Sequence, residues 1–142
     1  LDFKIYLGLL TETYNDAHRD DLMRTRAVPI AMVVVNLYPF QETISKADVT
    51  VEQARGNIDI GGPCMIRASA KNFIRVAPVV DPADYAIIID ELKANQGALS
   101  LGMRYRLAQK AFEHTAGYDR AIADFLRTKA LADVESCYDH TG

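Results

Sequence analysis

Ala31-Met32-Val33-Val34-Val35-Asn36 is a short, continuous apolar run rich in β-branched residues and closed by an amide. Such a run reads as a buried strand of a parallel sheet, because a strand covered on both faces has no reason to alternate apolar with polar residues. Pro39 follows at once and cannot donate to a ladder, so the strand ends near Leu37. Residues 41–49 read as a loop with Lys46-Ala47-Asp48 at its tip. Thr50 followed by Gln53 is a capping-box pattern. The helix that it opens at Val51 is short, since Gly56-Asn57 is a stop signal.

Working outward, Ile58-Asp59-Ile60-Gly61-Gly62 comes next. Two consecutive glycines permit unusual φ/ψ and close backbone approach. Pro63 sits where the first residue of a helix belongs, and Cys64 to Lys71 reads as that helix. The pattern predicts a glycine turn opening a helix, with free N–H groups at its mouth. Val76-Ala77-Pro78-Val79-Val80 is a second strand, which Pro78 makes an edge or a bulged one. Asp81-Pro82 starts a helix over residues 83–95, with Ile87, Ile88 and Leu92 on one side and Gly97 as its stop. Ser100 caps a helix over residues 101–115, where Leu107, Lys110, Ala111 and His114 recur at helical spacing. Gly117 interrupts, and a further helix over residues 118–132 carries Ile122, Phe125 and Leu126. Residues 1–132 read as one domain and 133–142 as a polar tail, frayed from Glu135 onward. Strands alternating with helices argue an α/β layer fold with a partly parallel sheet and a helical C-terminal third.

Composition narrows the function classes. The 142 residues are 49% hydrophobic and 25% charged, which excludes collagen, coiled coil and disorder. Sixteen Lys+Arg against nineteen Asp+Glu, net −3, leave no basic footprint for nucleic acid. The longest apolar run, residues 27–35, is broken by Pro29 and falls short of the roughly 18 residues of a membrane span. Cys64 and Cys137 lack metal-ligand spacing and read as free thiols; His18, His114 and His140 are scattered, so no metal site is expected. The chain opens in mid-pattern at Leu1-Asp2-Phe3-Lys4-Ile5, without Met or a secretory signal, and reads as a piece whose front is missing.

The chemistry-bearing residues concentrate in 36–71. Asn36 ends a strand, Tyr38 stands in a sharp turn, Asp59 precedes the Gly61-Gly62 pair, and Arg67 and Lys71 share one helix face at i, i+4. In open α/β sheets, ligands bind beyond the carboxyl ends of the strands, where Asn36, Tyr38 and the glycine turn could meet. Each residue also has a structural alternative. Asp59 can cap or pair with Lys71, Arg67 and Lys71 can be a solvated face, and Tyr38 can pack against its turn. Residue types alone give an α/β domain with an anion or nucleotide pocket and no reaction.

Four motifs in order carry a resemblance: Val33-Val-Val-Asn-Leu-Tyr-Pro-Phe40, Asn57-Ile-Asp-Ile-Gly-Gly-Pro63, Met65-Ile-Arg-Ala-Ser-Ala-Lys-Asn72 and Val80-Asp-Pro-Ala-Asp-Tyr85. Together they resemble the IMP cyclohydrolase domain of the bifunctional AICAR transformylase/IMP cyclohydrolase family, over about residues 4–126. The resemblance implies a methylglyoxal-synthase-like three-layer α/β fold with a mostly parallel sheet. It implies dehydrative closure of FAICAR to IMP in purine synthesis, without cofactor or metal, in a cytoplasmic homodimer that binds neither nucleic acid nor membrane. It also implies site roles. Asp59 stands at the position of the general base, Lys71 at that of the catalytic lysine serving the formyl oxygen, and Tyr38 at that of a tyrosine bonding in the same pocket. Asn36, Ile60, Gly61, Gly62 and Arg67 fall to substrate binding. Where the family reads Leu-His-Pro-Lys-Ile-His-Gly-Gly-Leu-Leu, this chain has Leu1-Asp-Phe-Lys-Ile-Tyr-Leu-Gly-Leu-Leu10. The family's phosphate-binding loops and one further lysine would precede Leu1, and its transformylase domain would follow the cyclohydrolase domain. The alternative is a diverged, non-catalytic nucleotide-binding or dimerising module of the same fold, which the altered first ten residues favour.

Overall fold

The computed structural model describes residues 2–138. The helices and strands run α1 (Phe3–Leu10), α2 (Asp16–Thr25), β1 (Met32–Val34), α3 (Phe40–Ile44), α4 (Val51–Gly56), α5 (Gly61–Lys71), β2 (Ala77–Val79), α6 (Tyr85–Ala94), α7 (Leu101–Arg127) and α8 (Leu131–Glu135). A 3-10 turn, Pro82–Asp84, leads into α6. The chain is a mixed α/β protein with a small parallel sheet and a helical C-terminal part. It divides into two units, Leu1–Asn36 with Gly61–Thr115, and Leu37–Ile60 with Ala116–Gly142.

The first unit is built on the β1–β2 pair. The strands are parallel, in the register Met32↔Ala77, Val33↔Pro78 and Val34↔Val79. Pro78 is tolerated because the ladder uses its neighbours: Ala77 N–H donates to the Ala31 carbonyl at 2.9 Å, and the Val79 carbonyl accepts from Val35 N–H at 3.0 Å. The absent proline N–H therefore points away from β1. Ala77 and Val79 share one face and pack into a core with Ile88, Leu99, Met103 and Leu107, joined by Met32, Tyr85 and Leu92. Pro78, on the opposite face by the two-residue period, is fully buried as well. Both faces of β2 are thus covered, whereas β1, expected to be buried, is only half-buried, with Val34 exposed at its end; α5 packs against both strands.

The second unit has a separate, aromatic core. Phe40, Ala54, Tyr118 and Phe125 form it, with Leu37, Ile44, Val49, Ile58, Ala121 and Ile122 packed around them. The Phe40 ring meets Tyr118 and Phe125 edge-on, with centroids 6.1 and 6.0 Å away.

Several local expectations hold. Thr50 Oγ1 accepts from Gln53 N–H at 3.1 Å while Gln53 Oε1 accepts from Thr50 N–H at 3.0 Å, closing the capping box. Asp81 accepts from Ala83 N–H, with Pro82 in the first position. Ser100 caps α7 through Met103 N–H. Gly97 takes the left-handed φ of +88° that ends α6. Cys64 and Cys137 are free.

Others are corrected. The expected loop over 41–49 begins with α3, because Phe40 and Ile44 stand four residues apart and both reach the aromatic core. Gly61 and Gly62 lie inside the first turn of α5, with no positive φ, and do not form a turn ahead of it; Pro63 is the third helical residue. Gly117 does not interrupt: α7 runs unbroken to Arg127. A glycine costs a helix about 1 kcal/mol, and the burial of Thr115 and Tyr118 on either side outweighs it. The helix expected over 118–132 is the end of α7, followed by the separate α8. The strands are shorter than read, and α6 starts at Tyr85 behind the 3-10 turn. Ile87 and Leu126 are exposed, leaving Ile88 with Leu92 and Phe125 with Ile122 as the packed pairs. His114 faces solvent. The polar tail begins within α8, and its last residues, 139–142 with His140, lie outside the described residues. Among the described residues no helix is long and apolar enough to cross a membrane.

Candidate functional site

The expected site residues fall into two groups, one in each unit. Tyr38, Asp59 and Ile60 belong to the second unit; Asn36, Gly61, Gly62, Arg67 and Lys71 belong to the first.

In the second unit, two loops meet. Pro39 and α3 close the turn after Leu37, and the end of α4 releases the chain at Asn57. Tyr38 N–H donates to Asp59 Oδ2 at 3.4 Å, which brings together residues 21 apart in sequence. Tyr38 is 57% exposed. Asp59 is half-buried, and Ile60 is exposed. Behind Asp59 stands Tyr118, a buried residue of α7. Its hydroxyl accepts from Asp59 N–H at 2.9 Å and donates to the Asn57 carbonyl at 3.1 Å. Burial pushes the Tyr118 phenol above its ordinary pKa, so this hydroxyl stays protonated near neutrality. Nothing local in the sequence marks Tyr118: the contact spans 59 residues, and within its helix the residue reads as core.

In the first unit, Arg67 and Lys71 lie one turn apart on the exposed side of α5. Arg67 is more than a solvated charge, because its guanidinium lies over the Phe112 ring, 5.5 Å from the centroid. Lys71 is exposed at the last position of the helix. Asn36 is exposed beyond the end of β1, while Gly62 is buried and Gly61 half-buried.

The far end of α5 is anchored to α1. Asn72 Nδ2 donates to the carbonyls of Leu9 and Thr11 at 2.7 and 3.2 Å. Arg75 donates to Gly8, Leu9, Thr11 and Ile30 carbonyls. A helix end leaves carbonyls unpaired and carries partial negative charge, so a partly buried guanidinium there satisfies both. Burial pulls the Arg75 pKa below its ordinary value, yet the group remains charged. Asn72 lies within a quoted motif without any role read from it; Arg75 carries no local signal.

Against this geometry, the family model of the AICARFT/IMPCHase bienzyme matches residues 69–141, half of the chain. The chain belongs to the AICARFT/IMPCHase bienzyme family. It is 52% identical over 130 residues to the bifunctional purine biosynthesis protein PurH of Chloroflexus aurantiacus, covering 92% of this chain and 25% of that protein. It is 54% identical over 121 residues to PurH of Streptococcus mutans, covering 85% of this chain and 23% of that one. The chain therefore spans about a quarter of the length of these curated relatives. Among solved structures, ForH superposes with a TM-score of 0.78 at 28% identity, covering 87% of this chain and 63% of that chain. That likeness is consistent with the methylglyoxal-synthase-like fold of this family.

Proposed function

We propose that this chain carries the ring-closing half of the bienzyme chemistry, the conversion of FAICAR to IMP and water. The carboxamide nitrogen attacks the formyl carbon and forms the new C–N bond. An amide nitrogen is a poor nucleophile, so a carboxylate must take its proton as the bond forms. In this reading Asp59 is that base. The formyl oxygen gains negative charge, takes up a proton, and leaves as water with the hydrogen of the formamide nitrogen. Lys71 and the Tyr38 hydroxyl serve the oxygen and the substrate around it, since charge that develops in the transition state is best met by donors already in place. Asn36, Arg67 and the Ile60-Gly61-Gly62 stretch bind the nucleotide. No metal or organic cofactor enters the reaction, the ligand is a purine nucleotide, and the protein works as a cytoplasmic homodimer without nucleic-acid or membrane partners.

The observation that supports this reading most directly is the hydrogen bond from Tyr38 N–H to the Asp59 carboxylate. It joins the two motifs in which the base and the tyrosine are matched, and it leaves the Tyr38 side chain free to reach a ligand. The test is IMP formation from FAICAR by this chain, by Asp59→Asn and by buffer. General-base removal typically costs about 10²–10⁴-fold. Turnover above buffer that falls by that factor supports the reading; turnover unchanged in Asp59→Asn contradicts it.

One observation favours a second reading, a nucleotide-binding or dimerising module without turnover. Where the family has a histidine, Tyr6 of α1 buries its hydroxyl beside Cys64 without a well-formed hydrogen bond. A buried hydroxyl with only a weakly bonding thiol beside it is a local cost, and it falls in the stretch that departs from the family's motif. No turnover above buffer, with nucleotide binding intact, is the outcome that selects this reading.

A further inference from the structure

We infer that Tyr118 is a positioning residue for the reaction, and that its hydroxyl fixes the Asn57–Asp59 segment so that the Asp59 carboxylate is presented in one place. The inference rests on the assignment of Asp59 as base and extends the site to a residue on α7.

The geometry is a two-sided latch. Asp59 N–H donates to the Tyr118 hydroxyl at 2.9 Å, and that hydroxyl donates to the Asn57 carbonyl at 3.1 Å. One atom thereby satisfies the backbone on both sides of Ile58, whose side chain packs against the aromatic core. The Asp59 carboxylate is in turn in contact with Tyr38 N–H. A third restraint acts on Tyr118 itself. Its ring packs edge-on against Phe40, whose helix α3 follows directly on Tyr38 and Pro39. The Tyr118 ring is thus held by the core, and its single polar atom is spent on the loop that carries Asp59.

The segment has no regular structure of its own to do this. It lies between the end of α4 at Gly56 and the start of α5 at Gly61; Asn57 N–H and Ile58 N–H still bond back to the Ala54 and Arg55 carbonyls, but Asp59 lies beyond that turn and in no ladder. Without the hydroxyl, the Asp59 amide and the Asn57 carbonyl would have to find water or rearrange. A base displaced by a fraction of an ångström loses much of its effectiveness, because general-base catalysis requires hydrogen-bond reach to the proton that is removed. The phenol is also well suited to a constant role. Burial raises its pKa, so it remains a donor to Asn57 across the neutral range.

The test is Tyr118→Phe in the full chain, which removes only the hydroxyl and keeps the ring against Phe40. Two readouts are taken. The first is hydrogen exchange of the Asp59 amide, followed by nuclear magnetic resonance. Exchange at least about tenfold faster than in the parent chain is expected, with amides of the aromatic core unchanged, since a hydrogen bond that closes a local segment is what slows exchange there. The second is steady-state IMP formation, compared with Asp59→Asn. The expected result is kcat lower by about 10- to 100-fold with KM within about twofold, the pattern of a mispositioned group and not of a lost substrate contact.

Unchanged exchange at Asp59 overturns the latch. Faster exchange with unchanged kcat, while Asp59→Asn abolishes turnover, overturns the catalytic positioning and leaves the assignment of the base intact. If Asp59→Asn and the parent chain turn over alike, the assignment of the base fails instead. The exchange measurement still decides whether Tyr118 holds the segment. General loss of protection in Tyr118→Phe would signal unfolding. Exchange in Tyr118→Phe is then repeated in an osmolyte that restores the fold; an Asp59 amide still exchanging fast when the core amides are protected again supports the latch, and recovery of Asp59 together with the core overturns it.

Discussion

Arg75 Nη2 donates to the carbonyl of Gly8 at 2.5 Å, across 67 residues of sequence. The same guanidinium reaches Leu9, Thr11 and Ile30, so one side chain on the segment after α5 gathers the end of α1 and the entry to β1. The helix that carries Arg67 and Lys71 is thereby fixed at its C-terminal end to the front of the chain.

Arg75→Met is expected to destabilise the first unit by about 3 kcal/mol, since hydrogen bonds to a charged group are worth about 1.5–3 kcal/mol each and several carbonyls lose their donor together. Urea unfolding followed by circular dichroism measures it. Arg75→Lys is expected to recover only part of the loss, because an ammonium cannot span the four carbonyls as a planar fork does.

Gly8 has a packing reason of its own. A methyl group there would run into the backbone carbonyl of Val28 and stand 3.0 Å from Ile30 Cγ1. Replacing glycine by alanine inside a helix usually gains about 1 kcal/mol of propensity. Overpacking against backbone typically costs about 1–3 kcal/mol. The second effect is expected to win, so Gly8→Ala lowers the thermal midpoint, whereas Gly117→Ala, with open space around it, raises it.

Glu52 gives a pH dependence with a defined sign. The Arg55 guanidinium, then the Tyr138 hydroxyl, hold its carboxyl down from 4.5 to about 2. A carboxylate whose pKa is depressed in the folded state stabilises the fold above its unfolded pKa, and that contribution disappears as the proton returns. Stability is therefore expected to decline as pH falls from about 4.5 toward about 2. Glu52→Gln should flatten that part of the profile and lower stability above pH 5 by the same amount, a small one because the pair is exposed and weak in water. Urea midpoints for both chains at several pH values decide it; identical profiles contradict the assignment.

What the sequence made legible is what local chemistry controls. Thr50 with Gln53, Asp81 with Pro82, Ser100 and Gly97 mark element ends by bonds within a few residues, and each does so in the structure. The parallel pairing matches the unbroken apolar run Met32–Val34, but the burial read from that run does not, since Val34 at its end is exposed. The misreadings have physical reasons too. Gly117 signals a break only where nothing else holds the helix, and Gly61-Gly62 signals a turn only where a positive φ is needed. α2, with Leu22 as its buried residue, shows no apolar stripe to read. In the candidate site, the Tyr38–Asp59 pair was foreshadowed by motif order, but Tyr118, Asn72 and Arg75 act across more than fifty residues and leave no local trace.

The central claim is that this chain closes FAICAR to IMP with its own side chains, and the most direct measurement is the rate of IMP formation by this chain, its Lys71→Ala variant and buffer. The account predicts a rate above buffer that falls by about 10²–10³-fold in the variant, the usual consequence of removing one donor to developing oxyanion charge. A rate above buffer that is equal in both chains would contradict it.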